Sequence, residues 1–164
     1  MRKDYEIILN LIPENSKVLD IGCSDGELIT YLENKGISAQ GVELNQEKVI
    51  KCLEKGLDVI HGDINLIVED FPFNQFDYCL LTQTIQAVQE PDQLLNTLKK
   101  VSKNIIVSFN NSARLSKISN FLLTGSFDSL LKKANSDHWY NTDYIHPCSI
   151  CLLYTSDAAD DLYR

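Results

Sequence analysis

The sequence predicts an α/β protein built on a parallel β-sheet with helices on both faces. Short runs rich in Val, Ile and Leu recur along the chain, with the near-continuous apolar character of strands buried on two sides. Segments of helical apolar spacing alternate with them through short connections, as in successive βαβ units. The 164 residues suffice for one domain with a sizeable core, and 44% hydrophobic with 23% charged residues are globular proportions.

The elements follow in order. Residues 4–11 carry an apolar stripe at Tyr5, Ile8 and Leu9 that continues to Ile12, so a short helix precedes Pro13. Residues 16–21 (SKVLDI) read as a buried strand. Residues 27–35 place Leu28, Ile29 and Leu32 on one helical face and stop at Gly36. A second strand covers 37–43 (ISAQGVE), followed by a helix over 46–55 that ends at Gly56. The third strand is 57–61 (LDVIH) and the fourth 76–81 (FDYCLL). A helix over 91–101 has proline in its first turn, and 104–109 (NIIVSF) is a fifth strand. No internal repeat or low-complexity linker interrupts this pattern.

Charge and cysteine usage narrow the function. Lys plus Arg number 15 against 23 Asp plus Glu, a net charge of −8, which argues against a phosphate backbone as the main partner. Five cysteines at irregular spacing form neither a disulfide frame nor a zinc motif, and they read as reduced thiols. No apolar run reaches ~18 residues, and the first residues lack the apolar core of a secretion signal. The expectation is a cytoplasmic protein with no membrane or nucleic-acid partner and no bound metal. The last fourteen residues, CLLYTSDAADDLYR, break the alternation and resemble the translation of a transposon-end sequencing adapter. The expected organisation is therefore a ligand-binding domain over 1–150 and a non-native tail over 151–164.

The chemistry concentrates in VLDIGCSDGEL, a strand running through a glycine turn into a helix. A dinucleotide fingerprint is GxGxxG, whose middle glycine admits a pyrophosphate. Here Gly22 and Gly26 are spaced GxxxG, and Ser24 fills the middle. Asp20, Asp25 and Glu27 make the turn acidic, which repels a pyrophosphate and suits a ligand carrying positive charge. S-adenosylmethionine (SAM), with its sulfonium and ammonium, fits such a turn; a nicotinamide dinucleotide fits poorly, and a plain turn without ligand is the bland alternative. Glu43 ends the second strand, where a carboxylate can accept ribose hydroxyls, and Asp63 follows the third, where it can take an adenine amino group. Either acid alone also reads as a helix cap.

Together VLDIGCSDGEL, GVELN, HGDI, FDYCLLTQTIQAV and HWYNTDYIH resemble the methionine biosynthesis protein MetW family, over about residues 1–150. The resemblance implies a Rossmann-like class I SAM-dependent methyltransferase fold and a role tied to methionine biosynthesis, beside a homoserine O-acyltransferase. It implies that Asp20, Gly22 and Gly26 shape the methionine end of the pocket. Glu43 would take the ribose and Asp63 the adenine, Gln83 would face the donor methyl, and their neighbours Cys23, Ser24, Leu44 and Ile64 are expected among the cofactor-binding residues. The family usually has glycine at Ser24 and aspartate at Asn45, and its turn after the fifth strand differs from Ser108–Leu115 here. The family also continues through a last pair of strands that this chain lacks, an expectation of an exposed sheet edge and a thinner, destabilised core.

Methyl transfer to an acceptor is an in-line displacement on an activated sulfonium, so positioning supplies much of the catalysis and a general base is optional. Weak catalytic candidates are Gln83, Tyr140 and His146, with His138 beside them; the plainer reading puts His146 at the start of a sixth strand and Trp139 in the core. Cys52 and Cys79 read as core thiols, and nothing near Cys23 points to a nucleophile. Two functions remain open: a methyltransferase acting on a small molecule or a protein, and a non-catalytic SAM-binding regulator of a homoserine O-acyltransferase.

Overall fold

A computed structural model of the chain describes residues 2–111 together with Ser119, Leu122, Leu123 and Gly125. His138, Trp139, Tyr140, His146 and the segment 151–164 lie outside the described residues. Two compact units divide the chain: Met1–Ile85 with Glu90–Ser108, and Gln86–Gln89 with Phe109–Arg164. In the second, the buried Gln86 and Asn110 exchange a reciprocal pair of bonds: the Asn110 amide donates to Gln86 Oε1 at 2.9 Å, and Gln86 Nε2 donates to the Asn110 carbonyl at 3.3 Å. All that follows concerns the first unit.

Its strands are β1 (Lys17–Ile21), β2 (Ser38–Glu43), β3 (Val59–His61), β4 (Phe76–Thr82) and β5 (Ser102–Ser108). They form one parallel sheet in the order β3-β2-β1-β4-β5. The helices are α1 (Lys3–Leu11), α2 (Glu27–Asn34), α3 (Gln46–Glu54), α4 (Ile64–Ile67) and α5 (Pro91–Val101). The expected strands and longer helices are present, with ends shifted by a residue or two. The segment between β3 and β4 had no expected element; it holds α4 and a 3-10 turn at Val68–Asp70. Four consecutive β1 residues, Val18 to Ile21, are buried, so both faces of the sheet are covered.

Local chemistry explains where the helices begin and end. Asn45 caps α3, its side chain accepting from the amides of Glu47 and Lys48, so asparagine serves this position as aspartate would. Pro91 opens α5, where a missing N–H costs nothing. Lys35, at the C-terminal cap of α2, donates to the carbonyls of Leu9 and Ile12 and pins the end of α1. One cluster joins Tyr5, Ile8 and Ile12 to Val18, Leu28, Ile29, Leu32 and Leu80, so α1 and α2 cover one face of β1 and β4.

The order reverses direction between β1 and β4: the chain steps outward from β1 to β2 and β3, then returns to the other side of β1. Ligands of open parallel sheets bind outside the carboxyl ends of the strands at this point, where diverging loops leave a crevice. Core packing fixes those ends. Leu19→Ala, at a fully buried site, is expected to lower stability by about 2–5 kcal/mol, while Leu66→Ala, at a residue 76% exposed, changes it by less than ~0.5 kcal/mol; urea unfolding of the two variants checks the contrast.

Candidate functional site

The turn after β1 is over-determined by its neighbours. The amides of Gly22 and Cys23 both donate to the Val42 carbonyl, at 2.8 and 3.2 Å, and the Gly26 amide donates to the Cys23 carbonyl at 3.0 Å. The Ser24 amide donates to Glu43 Oε2 at 2.8 Å. Four amides of the turn are thus spent within the protein, whereas a pyrophosphate cradle needs them free. Gly22 and Gly26 have φ of +73° and +77°. A Cβ on Gly22 would lie 2.6 Å from Thr84 Oγ1, which itself donates to the Ile21 carbonyl at 2.9 Å. Sequence reasoning passed over Thr84, whose packing against the turn joins the ends of β1 and β4. It also passed over Gly41, beside Asp20 on β2, where a side chain would strike Cys23 Sγ at 2.6 Å.

Ser24 occupies a left-handed conformation, φ +56°, that glycine adopts without strain. Its backbone, rather than its hydroxyl, carries the visible role, through the bond to Glu43. Gln83, immediately after β4, is likewise left-handed at φ +60°, and its amide donates to the Ser108 carbonyl at 2.8 Å. Two non-glycine residues in this region, both at the crevice, store local strain of the kind that collects at functional sites.

Glu43, 8% exposed, reaches from the end of β2 to both loops: Oε2 takes the Ser24 amide and Oε1 takes the Asn45 amide at 2.9 Å. Each oxygen keeps a lone pair for a further donor. It does not cap α3, which Asn45 does. Asp63 does cap, with Oδ1 accepting the Asn65 amide at 2.9 Å and Asn65 Nδ2 at 2.8 Å, so one of its oxygens remains available. Leu44, next to Glu43, is 66% exposed, and Ile64 is buried behind Asp63. Cys23 is buried, and that burial, reinforced by Asp20, pushes its thiol far above the usual range. The described cysteines, Cys23, Cys52 and Cys79, are free buried thiols.

Asp20 is the exceptional group. It is 1% exposed, and neither carboxyl oxygen has a hydrogen-bond partner. Among the described residues the other such atom is Ser108 Oγ, at the end of β5. Desolvation lifts the Asp20 pKa to about 7; the charge of Arg2 pulls it down and that of Glu43 pushes it up. A buried carboxyl without partners is costly unless something pairs with it, and the group that suits it is a cationic donor.

The sequence profile of the methionine biosynthesis protein MetW family matches residues 2–157. The chain belongs to the MetW family. A bifunctional methionine biosynthesis protein MetXA/MetW of Rhodopirellula baltica is 33% identical over 148 residues, 85% of this chain. The chain spans about a quarter, 24%, of that relative's length. Among solved structures, the YcgJ protein of Bacillus subtilis superposes with a TM-score of 0.70 at 14% identity, covering 94% of this chain and 66% of that one. A SAM-dependent methyltransferase of Archaeoglobus fulgidus superposes with 0.67 at 20% identity, covering 92% and 66%. The fold is that of the Rossmann-like SAM-dependent methyltransferases. No helix among the described residues is long and apolar enough to cross a membrane.

Two consequences are measurable. Gly22→Ala is strained by its φ and blocked by Thr84, so it should cost about 2–4 kcal/mol in urea unfolding. Asp20 keeps its proton in the folded chain up to about pH 7, whereas the unfolded value is 3.8. Its contribution to stability is therefore complete below about pH 4 and is lost as pH rises through 7. Asp20→Asn abolishes that loss: at pH 8 the variant should exceed the parent chain by about 4 kcal/mol, a gap that closes by pH 4 in thermal melts.

Proposed function

We propose that this chain binds S-adenosylmethionine at the turn after β1 and acts as a methyltransferase associated with methionine biosynthesis. The buried, partnerless carboxyl of Asp20 carries the reading. An ammonium supplies the donors and the charge that Asp20 lacks, whereas a phosphate supplies neither. Glu43, with a lone pair left on each oxygen, would accept the ribose hydroxyls, while the exposed apolar Leu44 beside it offers a surface to a flat base. Asp63 keeps an oxygen for the adenine amino group, with Ile64 behind it, and Gln83 lies at the crevice where the reacting centre belongs. Gly22, Cys23, Ser24 and Gly26 give the turn its shape. When bound, the cofactor supplies a methyl group on a sulfonium leaving group; the chain's own task is to hold it in line with an acceptor and exclude water.

A second reading is favoured by two observations. The curated relative is a bifunctional MetXA/MetW protein, which puts a MetW segment in the same polypeptide as a partner activity. Among the described residues the one histidine, His61, is turned to the Leu44 carbonyl, with Nε2 at 3.0 Å, and none stands at the crevice as a general base. On this reading the chain is a SAM-binding regulator of a homoserine O-acyltransferase. Tyr140 and His146, the remaining base candidates, lie outside the described residues.

Calorimetric titration of SAM tests what the two readings share. Saturable binding is expected, weakened at least tenfold by Glu43→Ala, the scale of a lost hydrogen bond to a charged group; no binding to the parent chain refutes both. Purified homoserine O-acyltransferase then separates them. Formation of S-adenosylhomocysteine marks a methyltransferase, and a SAM-dependent change in acyltransferase rate without it marks a regulator.

A further inference from the structure

Arg2 has entered so far only as a charge acting on Asp20, and the fold explains how it comes there. The chain leaves α1 at Leu11 and enters β1 at Lys17, so α1 runs back along β1 with its N-terminus at the carboxyl end of the strand. Alternate strand residues share a face, so Asp20 lies on the face of Val18, which packs in one cluster with Tyr5, Ile8 and Ile12. Arg2 is one helical turn before Tyr5, on the same side of α1. A chain of contacts fixes this end of the helix to the glycine turn. The Tyr5 and Tyr31 rings lie 6.4 Å apart, and the Tyr31 hydroxyl donates to Glu27 Oε1 at 3.2 Å, where Glu27 directly follows Gly26. Arg2 is also the one cation whose charge acts on Asp20.

The guanidinium is held in place. Nε and Nη2 donate to the two carboxylate oxygens of Asp4, and Nη1 donates to the Tyr5 hydroxyl at 3.0 Å. The guanidinium carbon stands 4.3 Å over the Tyr5 ring. These bonds use three of five N–H donors and leave two. The fold therefore combines a buried carboxyl with no donor and, at the same end of β1, a fixed guanidinium with donors to spare.

We propose that Arg2 is a specificity-determining residue of the Asp20 pocket: its guanidinium takes the α-carboxylate of a ligand whose α-ammonium is taken by Asp20. The pocket thus reads an entire amino-acid zwitterion. The assignment rests on the reading that SAM is the ligand. It makes a distinct claim, because the surrounding carboxylates, Asp20, Asp25, Glu27 and Glu43, by themselves favour the more positively charged molecule. Decarboxylated SAM keeps the sulfonium and the amine and lacks only the carboxylate. Without a cation at the pocket it would bind better than SAM; with Arg2 in place SAM binds better.

Calorimetric titration of both ligands into the full chain tests this. The parent should bind SAM at least tenfold more tightly than decarboxylated SAM, in keeping with one charge-assisted pair. Arg2→Met should weaken SAM tenfold or more while leaving the decarboxylated ligand within twofold or improved, which also shows that the pocket is intact. Arg2→Lys should restore part of the preference. Lys55→Met, at the other cation bonded near the turn (to the Asp25 carbonyl), should change neither affinity. A preference that survives Arg2→Met, or a parent chain that binds both ligands equally, overturns the role of Arg2 alone. A parent chain that binds neither ligand overturns the cofactor reading and this assignment with it.

Discussion

Asp20 sits on the central strand of a sheet buried on both faces, and the fold gives its carboxyl group neither solvent exposure nor a protein donor. Everything around it follows from keeping that group in place. β1 is hydrogen-bonded on both sides, to β2 and β4, so the strand cannot yield. The turn beyond is tied to β2 by the Val42 carbonyl and to Glu43 by the Ser24 amide, and to β4 by Thr84. A site so braced pays in advance for the desolvation of Asp20, which under the proposed function a cationic ligand would recover on binding.

The strain is placed accordingly. Gly22, Ser24 and Gly26 on one wall and Gln83 on the other hold left-handed backbone, and they flank the reversal of strand order. Elsewhere among the described residues the non-glycine positive φ values fall at Asn15 and Asn74, residues that tolerate this conformation. Strain at Ser24 and Gln83 thus has the crevice in common, and rigid packing from Val18, Leu19, Leu80 and Leu81 is what sustains it.

The strands were legible because each is a short apolar run bounded by glycine, proline or a change of period, and burial on two faces writes itself into adjacent apolar residues such as Val18 and Leu19. The glycine turn and the acids at Asp20, Glu43 and Asp63 were legible for the same topological reason, since each closes a strand at its carboxyl end. The helix at Ile64–Ile67 was not, because four residues give no period to read. Glu43 as a brace for the turn, Thr84 as the neighbour that requires glycine at position 22, and Gly41 as the floor beneath Cys23 were also hidden. Each depends on contacts between strands distant in sequence. Arg2 carries no signal in the sequence; only the course of α1 back along β1 brings it to the end of the sheet that holds Asp20.

The central claim is that the Asp20 carboxyl, largely protonated below neutrality, pairs with a ligand ammonium and must then give up its proton. Calorimetry of SAM binding at pH 6 in two buffers of different ionisation enthalpy counts that proton directly. The account predicts release of nearly one proton per bound ligand at pH 6, a release that diminishes as pH rises through 7 and is absent at pH 6 in Asp20→Asn wherever binding is measurable. Binding at pH 6 with no proton exchanged would contradict it.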